Sequence, residues 1–170
     1  MTNSEIIEYL QTNFPDAGLA LDETSPEPLI VVPREHLLKI AQFLRDDDQL
    51  HFECLMCLSS IDMGEELHTV YNLYSMKHGH KCSLRCKVSR EDPVIPTVSF
   101  IWKTADWHER EAYDLMGIIY EGHPDPRRIL CPDDWEGHPL RKDYEPQKEW
   151  HGIPLEAILP EDLDKRGKTG

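Results

Sequence analysis

This sequence predicts an α+β fold: an antiparallel sheet with helices packed on one side, followed by an extended proline-rich C-terminal segment. Three observations lead there. Between residues 51 and 89, three runs are rich in apolar residues, the last two alternating, and the links between them contain Gly. Two earlier stretches carry apolar residues at helical spacing. Beyond residue 120, Pro124, Pro126, Pro132, Pro139 and Pro146 nearly exclude long regular elements. The chain therefore divides into an α+β domain over 1–120 and an extended segment over 121–170 that docks on a partner.

Each element has its own signal. Residues 4–13 form a short helix, with Ser4 as its cap and Ile6, Ile7 and Leu10 on one face. Residues 15–27 are loop around a short strand at 19–22, and Pro28–Val32 is a second strand. Pro33 suits a first helical position, and Leu37, Leu38, Ile40, Ala41 and Leu44 make the buried stripe of the helix it opens. Strands follow at 51–61, 67–75 and 81–89, joined by hairpin links at 62–66 and 77–80. Residues 92–96 are an extended loop, and 99–103 make a brief helical turn. Asp106 then reads as an N-cap with Glu109 three residues on, as in a capping box. That helix runs to Met116, and Gly117 is placed to end it in a left-handed conformation. His108, Ala112, Leu115 and Met116 share one face; Arg110 and Asp114 stand four apart on another. Residues 156–170 are polar and expected to fray.

Bulk properties exclude several functions. At 170 residues the chain can bury a core, but its 39 % hydrophobic content is low and its 13 prolines are many. A net charge of −14 opposes nucleic-acid binding and adhesion to anionic lipid, both of which need clustered Lys and Arg. No apolar run approaches the ~20 residues of a membrane span. The start, MTNSEIIEYL, has acids where a signal peptide needs a positive flank, so a cytoplasmic chain, or one held to a membrane through partners, is expected.

Five cysteines without a secretion signal do not suggest a disulfide framework. Cys54, Cys57, Cys82 and Cys86 invite a metal or cluster reading. Strand geometry opposes it: Cys82 and Cys86 lie about 13 Å apart along one strand face, and Cys54 and Cys57 in a regular strand face opposite ways. Buried free thiols are expected. The nine histidines show no ligand spacing, and His108–Glu111 lacks the order of a zinc protease. Glu109, Arg110, Glu111 and Asp114 are read as a partly buried network with arginines of the later segment, such as Arg127, Arg128 or Arg141, because buried charges must be paired. No phosphate-binding glycine loop, nucleophile elbow or Ser-His-Asp order is present.

These residues carry a resemblance. Glu109-Arg110-Glu111-x-x-Asp114-Leu115-x-Gly117-Ile118, then Gly122-His123-Pro124, Arg128-Ile129-Leu130 and Gly137-His138-Pro139-Leu140-Arg141-Lys142-Asp143-Tyr144 resemble the signature of the C-type, or thirty-kilodalton-type, subunit of respiratory complex I, the NADH–quinone oxidoreductase. Asp92-x-x-x-Pro96-x-Val98 with Trp102, and Leu58-Ser59-Ser60-Ile61-Asp62, match its approach to that signature, so the similarity covers roughly 28–145. The resemblance implies a structural subunit of the peripheral arm of a proton-translocating enzyme, at the cytoplasmic face of the cell inner membrane. It implies a C-terminal extension embracing the D-type, quinone-site subunit, which carries much of the quinone pocket, and the B-type subunit as a further partner. It implies no catalytic residue and no redox centre in this subunit, with flavin mononucleotide and iron–sulfur clusters in partner subunits. The signature residues are then structural and interface residues. Trp135, Leu140, Tyr144 and Trp150 supply anchors, and Arg141 with Lys142 meets acidic groups on the partner. Equivalent subunits of membrane-bound hydrogenases and of a ferredoxin-dependent photosynthetic complex are the alternative, and the phrase WKTADW at 102–107 resembles the photosynthetic form.

Overall fold

The computed structural model describes residues 1–25 and 27–155. The expectation for 156–170 lies outside the described residues. The first helix, α1 (Asn3–Asn13), is capped by Thr2 rather than Ser4: Thr2 Oγ1 accepts Glu5 N–H at 3.3 Å and Glu5 Oε2 accepts Thr2 N–H at 2.8 Å. This reciprocal pair satisfies two orphan donors at once, which Ser4 could not do alone. Two short strands follow, β1 (Ala20–Asp22) and β2 (Leu29–Val31). Pro33 is the N-cap of α2 (Arg34–Asp46), one position earlier than its expected place. That helix buries Leu37, Ile40, Ala41 and Leu44, but Leu38 falls outside the stripe and is 44 % exposed.

The meander forms as expected, from β3 (Cys54–Asp62), β4 (Glu66–Ser75) and β5 (His80–Ser89) in antiparallel register. The sheet as a whole is mixed, not antiparallel. Its order is β1-β2-β5-β4-β3, and β2 runs parallel to β5 through Ile30↔Leu84 and Val31↔Arg85. The chain leaves β2 through α2 and reaches β3 at the far edge, and the meander then brings β5 back beside β2 in the same direction. Alternation of side chains identifies a strand's buried face but not its neighbour's direction.

The helices cover one face of this sheet. Leu55, Leu58, Tyr71, Leu73, Cys82, Leu84 and Cys86 join the buried residues of the helices there in one core. A bulge at Met56 shifts the register between Leu55 and Cys57. As a result Leu55 and Leu58 both face the core, and Cys54 and Cys57 lie opposite Tyr74 and Asn72 on the other face. The regular strand that would have turned those two cysteines opposite ways is therefore absent.

Residues 94–96, expected as loop, are a strand. β6 (Val94–Pro96) pairs in parallel with β7 (Ile119–Glu121), bracketing α3 (Ala105–Met116). Between β6 and α3 the chain turns at 98–102, where Ile101 and Trp102 both donate to Val98 O at 2.9 Å. Trp102 Nε1 donates to Phe52 O at 2.8 Å and fixes this turn to the core. The turn winds the chain into α3 early, so Thr104 is the N-cap and Asp106 lies in the first turn. Glu109 makes no capping box; its side chain bonds elsewhere. Gly117 does end α3 in the left-handed region, at φ 71°.

Candidate functional site

Four structural facts build the site around α3. The first is Glu109. It is wholly buried, with Val98 N–H donating to Oε1 at 2.8 Å and the Thr97 hydroxyl donating to Oε2. His123 Nε2 stands 3.8 Å from Oε2. Asp125 N–H donates to His123 Nδ1 at 3.0 Å, so Nδ1 is unprotonated and the proton is on Nε2, which donates to Asp106 O at 3.1 Å. His123 therefore bonds Asp106 and not Glu109. Burial pushes the carboxyl up to about 7, with a smaller push from Asp106, against the Thr97 and Val98 hydrogen bonds.

The second fact is Asp114, also wholly buried. Its Oδ2 accepts the backbone N–H groups of Ile129, Leu130 and Cys131 at 3.0, 2.7 and 2.8 Å, and its Oδ1 accepts Arg128 Nη1 at 2.8 Å. Burial works to raise its pKa. The N–H groups of Cys131, Leu130 and Ile129, with Arg128, outweigh burial and hold the carboxyl below the usual carboxylate range.

The third fact is the end of α3. A helix leaves its last carbonyls without partners and carries partial negative charge there. Here the later segment supplies the donors: His138 Nδ1 to Asp114 O at 2.9 Å, Leu140 N–H to Leu115 O at 3.0 Å and Arg141 Nε to Met116 O at 2.7 Å. The Gly137–Arg141 run is a cap delivered from a distance in sequence. Gly117 makes room for it, since a Cβ there would meet His138 and Arg141 at 2.5 and 2.6 Å. Gly137 lies close to the Tyr144 ring, whose hydroxyl accepts Trp135 Nε1 at 3.1 Å.

The fourth fact is Asp62 at the end of β3. It accepts Arg90 at 2.8 Å, Gly64 N–H at 2.8 Å and Lys142 N–H at 2.8 Å, and Arg90 reaches on to Asp143 at 2.7 Å. Burial alone would raise its pKa; those donors lower it instead.

Of the charge network read from the sequence, the pairing of Asp114 with an arginine of the later segment is present, while Glu109 and Glu111 take no arginine. Asp114 meets Arg128, not Arg110. Arg110 donates to the carbonyls of Arg127 and Arg128 at 3.1 and 3.3 Å, lies 3.5 Å from Asp125 and stacks 5.2 Å from the Trp107 ring. Glu111 takes no part: it is exposed and lines a cleft with His108, Ala112, Leu115, Met116 and Leu140 against β3. Pro124 is exposed and Pro139 half-buried within the broken segment. Arg141 turns into its own chain, while the Lys142 residue is exposed and bonds through its backbone. Arg90 and Thr97 did not stand out in the sequence, and Asp62 did so only as the last residue of the Leu58–Asp62 run. The available signal was an Asp ending β3 and an Arg just after β5, two strands later, and neither residue is unusual at a turn.

The cysteines do not converge. Cys82 and Cys86 lie on the core face, where burial pushes both thiols up to about 12, and Cys54 and Cys57 lie on the other. Among the described residues no three His, Cys, Asp or Glu side chains are grouped to hold a metal ion.

Residues 30–150 match the family described as respiratory-chain NADH dehydrogenase, 30 Kd subunit. The chain is similar to the C-type subunit of NADH-quinone oxidoreductase of Chloroherpeton thalassium, 50 % identical over 147 residues, covering 85 % of this chain and 61 % of that protein. It is 45 % identical over 150 residues to the protein of the same name from Chlorobium phaeobacteroides, covering 86 % of this chain and 90 % of that one. The chain thus spans less than two thirds of the first relative and most of the second. Among solved structures it resembles the trypsin-resistant fragment of Nqo5, with TM-score 0.58 and 29 % identity, over 70 % of this chain and 98 % of the fragment. It also resembles a chain of the archaeal membrane-bound sulfane sulfur reductase, with TM-score 0.68 and coverage of 84 % and 85 %. At 21 % identity that second likeness shows the fold alone.

Proposed function

The chain belongs to the family of the 30 kDa subunit of respiratory-chain NADH dehydrogenase, and from that premise we propose that it is a structural subunit of the peripheral arm of a proton-translocating NADH–quinone oxidoreductase. In this reading it packs on the D-type subunit near the quinone site, has the B-type subunit as a further neighbour and transfers no electron itself. Flavin mononucleotide and iron–sulfur clusters belong to the partner subunits. Partners hold it at the cytoplasmic face of the inner membrane; among the described residues no helix is long and apolar enough to cross a membrane. The relatives' names carry NADH and quinone, which supports NADH rather than ferredoxin as the electron donor of the assembly.

One observation carries the packing role. The segment after β7 has its backbone tied to Asp114, to the end of α3 and to Asp62, yet Leu130 and Leu140 remain 65 % and 55 % exposed. A segment ordered in advance loses little entropy on docking, and exposed apolar side chains on it are anchors without a partner in this chain. The test is Leu130→Asp with Leu140→Asp in the natural host. Native gels should show the full-size complex lost or depleted, while circular dichroism of the isolated chain is unchanged. A full-size, fully active complex would refute the packing role.

A further inference from the structure

The acids of α3 differ in what holds them. Asp106 stands 3.4 Å from His123, Glu109 is held by Thr97 and Val98, and Asp114 by Arg128 and three N–H groups. The Glu111 carboxylate is exposed and makes no hydrogen bond or ion pair among the described residues. It lines a cleft of about 230 Å³ between α3 and β3. Leu58, Ala112, Leu115 and Met116 give the cleft apolar walls, and Leu140 belongs to the same lining. The arginines around α3 are committed elsewhere: Arg110 to the carbonyls of Arg127 and Arg128, Arg128 to Asp114, and Arg141 to Met116 O. His108, three residues before Glu111, gives Nδ1–H to Leu58 O at 3.2 Å.

Leu140 is also one of the two exposed anchors that carry the packing role. Because it shares the cleft with Glu111, a partner that covers Leu140 comes over Glu111 as well. That restricts what the partner can bring. A wholly apolar segment would take an accessible carboxylate out of water and leave it unpaired. An acidic segment would add like charge to a chain already at −14. An apolar wall beside an accessible acid suits a cation on a methylene stem, which covers the wall with its stem and meets the carboxylate with a charge-assisted hydrogen bond.

We propose that the subunit covering Leu140 places one lysine or arginine side chain in this cleft, its stem along Leu58, Ala112 and Leu115 and its charged end on Glu111. The inference rests on the packing role proposed above. An acid that only solvates the surface of α3 would tolerate any replacement in the assembly, charge reversal included.

Charge reversal in the natural host tests this. Glu111→Lys should lower the recovery of full-size complex on native gels roughly tenfold, the size of a lost charge-assisted hydrogen bond. The free variant should melt as the parent does, because the residue is exposed. A photo-crosslinking amino acid at Ser59, exposed on the β3 side of the cleft, should join the chain in the purified complex to a peptide of another subunit that contains Lys or Arg. Replacing that cation by Glu leaves this chain untouched and should deplete the complex similarly, and the two reversals together should restore it. Undiminished complex with Glu111→Lys would overturn the inference. So would a cross-link to no other subunit, to a second copy of this chain or to a peptide without a cation, or a double reversal that recovers nothing. The packing role is judged separately, by Leu130→Asp with Leu140→Asp. If that variant fails to assemble while Glu111→Lys assembles fully, the inference alone falls; if both assemble fully, the packing role has failed and the inference falls with it.

Discussion

Arg128 Nη1 stands 2.8 Å from Asp114 Oδ1, and both side chains are withdrawn from water, at 13 % and 0 % exposure. Arg128 also donates to Gly137 O at 3.0 Å, so one guanidinium joins the helix carboxylate to the start of its distant cap. Removing one partner of such a pair leaves the other buried and unmatched. We expect Arg128→Ala to cost about 3–5 kcal/mol in urea unfolding of the free chain. Arg128→Lys should recover only part of that, because an ammonium lacks the planar fork whose two nitrogens reach Asp114 and Gly137 separately. A loss below about 1 kcal/mol would mean that the pair behaves as a surface bridge.

Two glycines separate backbone strain from contact with the cap. Gly117 and Gly122 both have positive φ, at 71° and 81°. A Cβ at Gly122 would meet only Thr97 at 3.6 Å, an ordinary contact, whereas at Gly117 it would displace His138 and Arg141. Gly122→Ala should therefore cost only the left-handed penalty of about 1–2 kcal/mol. Gly117→Ala should cost more and should also speed proteolysis within 126–144. Equal costs in thermal melts would show that the cap does not depend on close approach at Gly117.

Glu109 gives the stability curve a direction. Its folded pKa of about 7 lies above the ordinary value of 4.5, so the folded state binds more protons between those pH values. Its effect is therefore neutral below about 4.5, and stability falls as pH rises toward 7, by about 3 kcal/mol in all. Asp62 and Asp114 have lowered values, so their contribution is present above 3.8 and is lost as pH falls through their folded pKa. His80 and His138, lowered by burial, oppose the Glu109 trend below their ordinary 6.5. The difference between the parent and Glu109→Gln is thus the measure. Urea midpoints from pH 4 to 8 should converge below about 4.5 and separate progressively between about 4.5 and 7, with the Gln variant the more stable. Parallel curves would mean that Glu109 is not desolvated.

The elements were legible wherever period-two or period-3.6 patterning is strong, as in β4, β5 and α2. The parallel pairing of β2 with β5 was not, because alternation carries no information about which strand lies alongside. The Met56 bulge was hidden for a related reason: an inserted residue is visible only against its partner strand. At the site, a charged helix followed by arginines announced a paired network, and Asp114 with Arg128 is one. The choice of Arg128 over Arg127 and Arg141 depended on where the proline-broken chain returns to α3. An acid beside arginines suggests pairing, but the partners of Glu109 are a hydroxyl and an amide from residues 97 and 98.

Arg141 and Lys142 are adjacent in sequence and do different things. The sequence suggests that both meet acids on a partner. In the structure Arg141 Nε donates to Met116 O at 2.7 Å and is half-buried against Gly117, so its loss falls on the chain itself. Arg141→Ala should lower the stability of the free chain by about 1.5–3 kcal/mol, the value of a hydrogen bond from a charged group. Lys142 contributes its backbone N–H to Asp62, a bond that survives any side-chain change, and the residue is exposed. Lys142→Glu turns a charge that helps to hold Asp62 ionised into one that repels it, but the residue is exposed, so the free chain should lose no more than about 1 kcal/mol, measured alongside. That makes it the clean probe of docking. If the Lys142 side chain meets acids on a partner, the reversed charge places like charges in contact, and native gels should show less full-size complex. If the complex is full-size and active, Lys142 is not an interface residue, and the Arg-Lys pair acts only through the cap that Arg141 provides to α3.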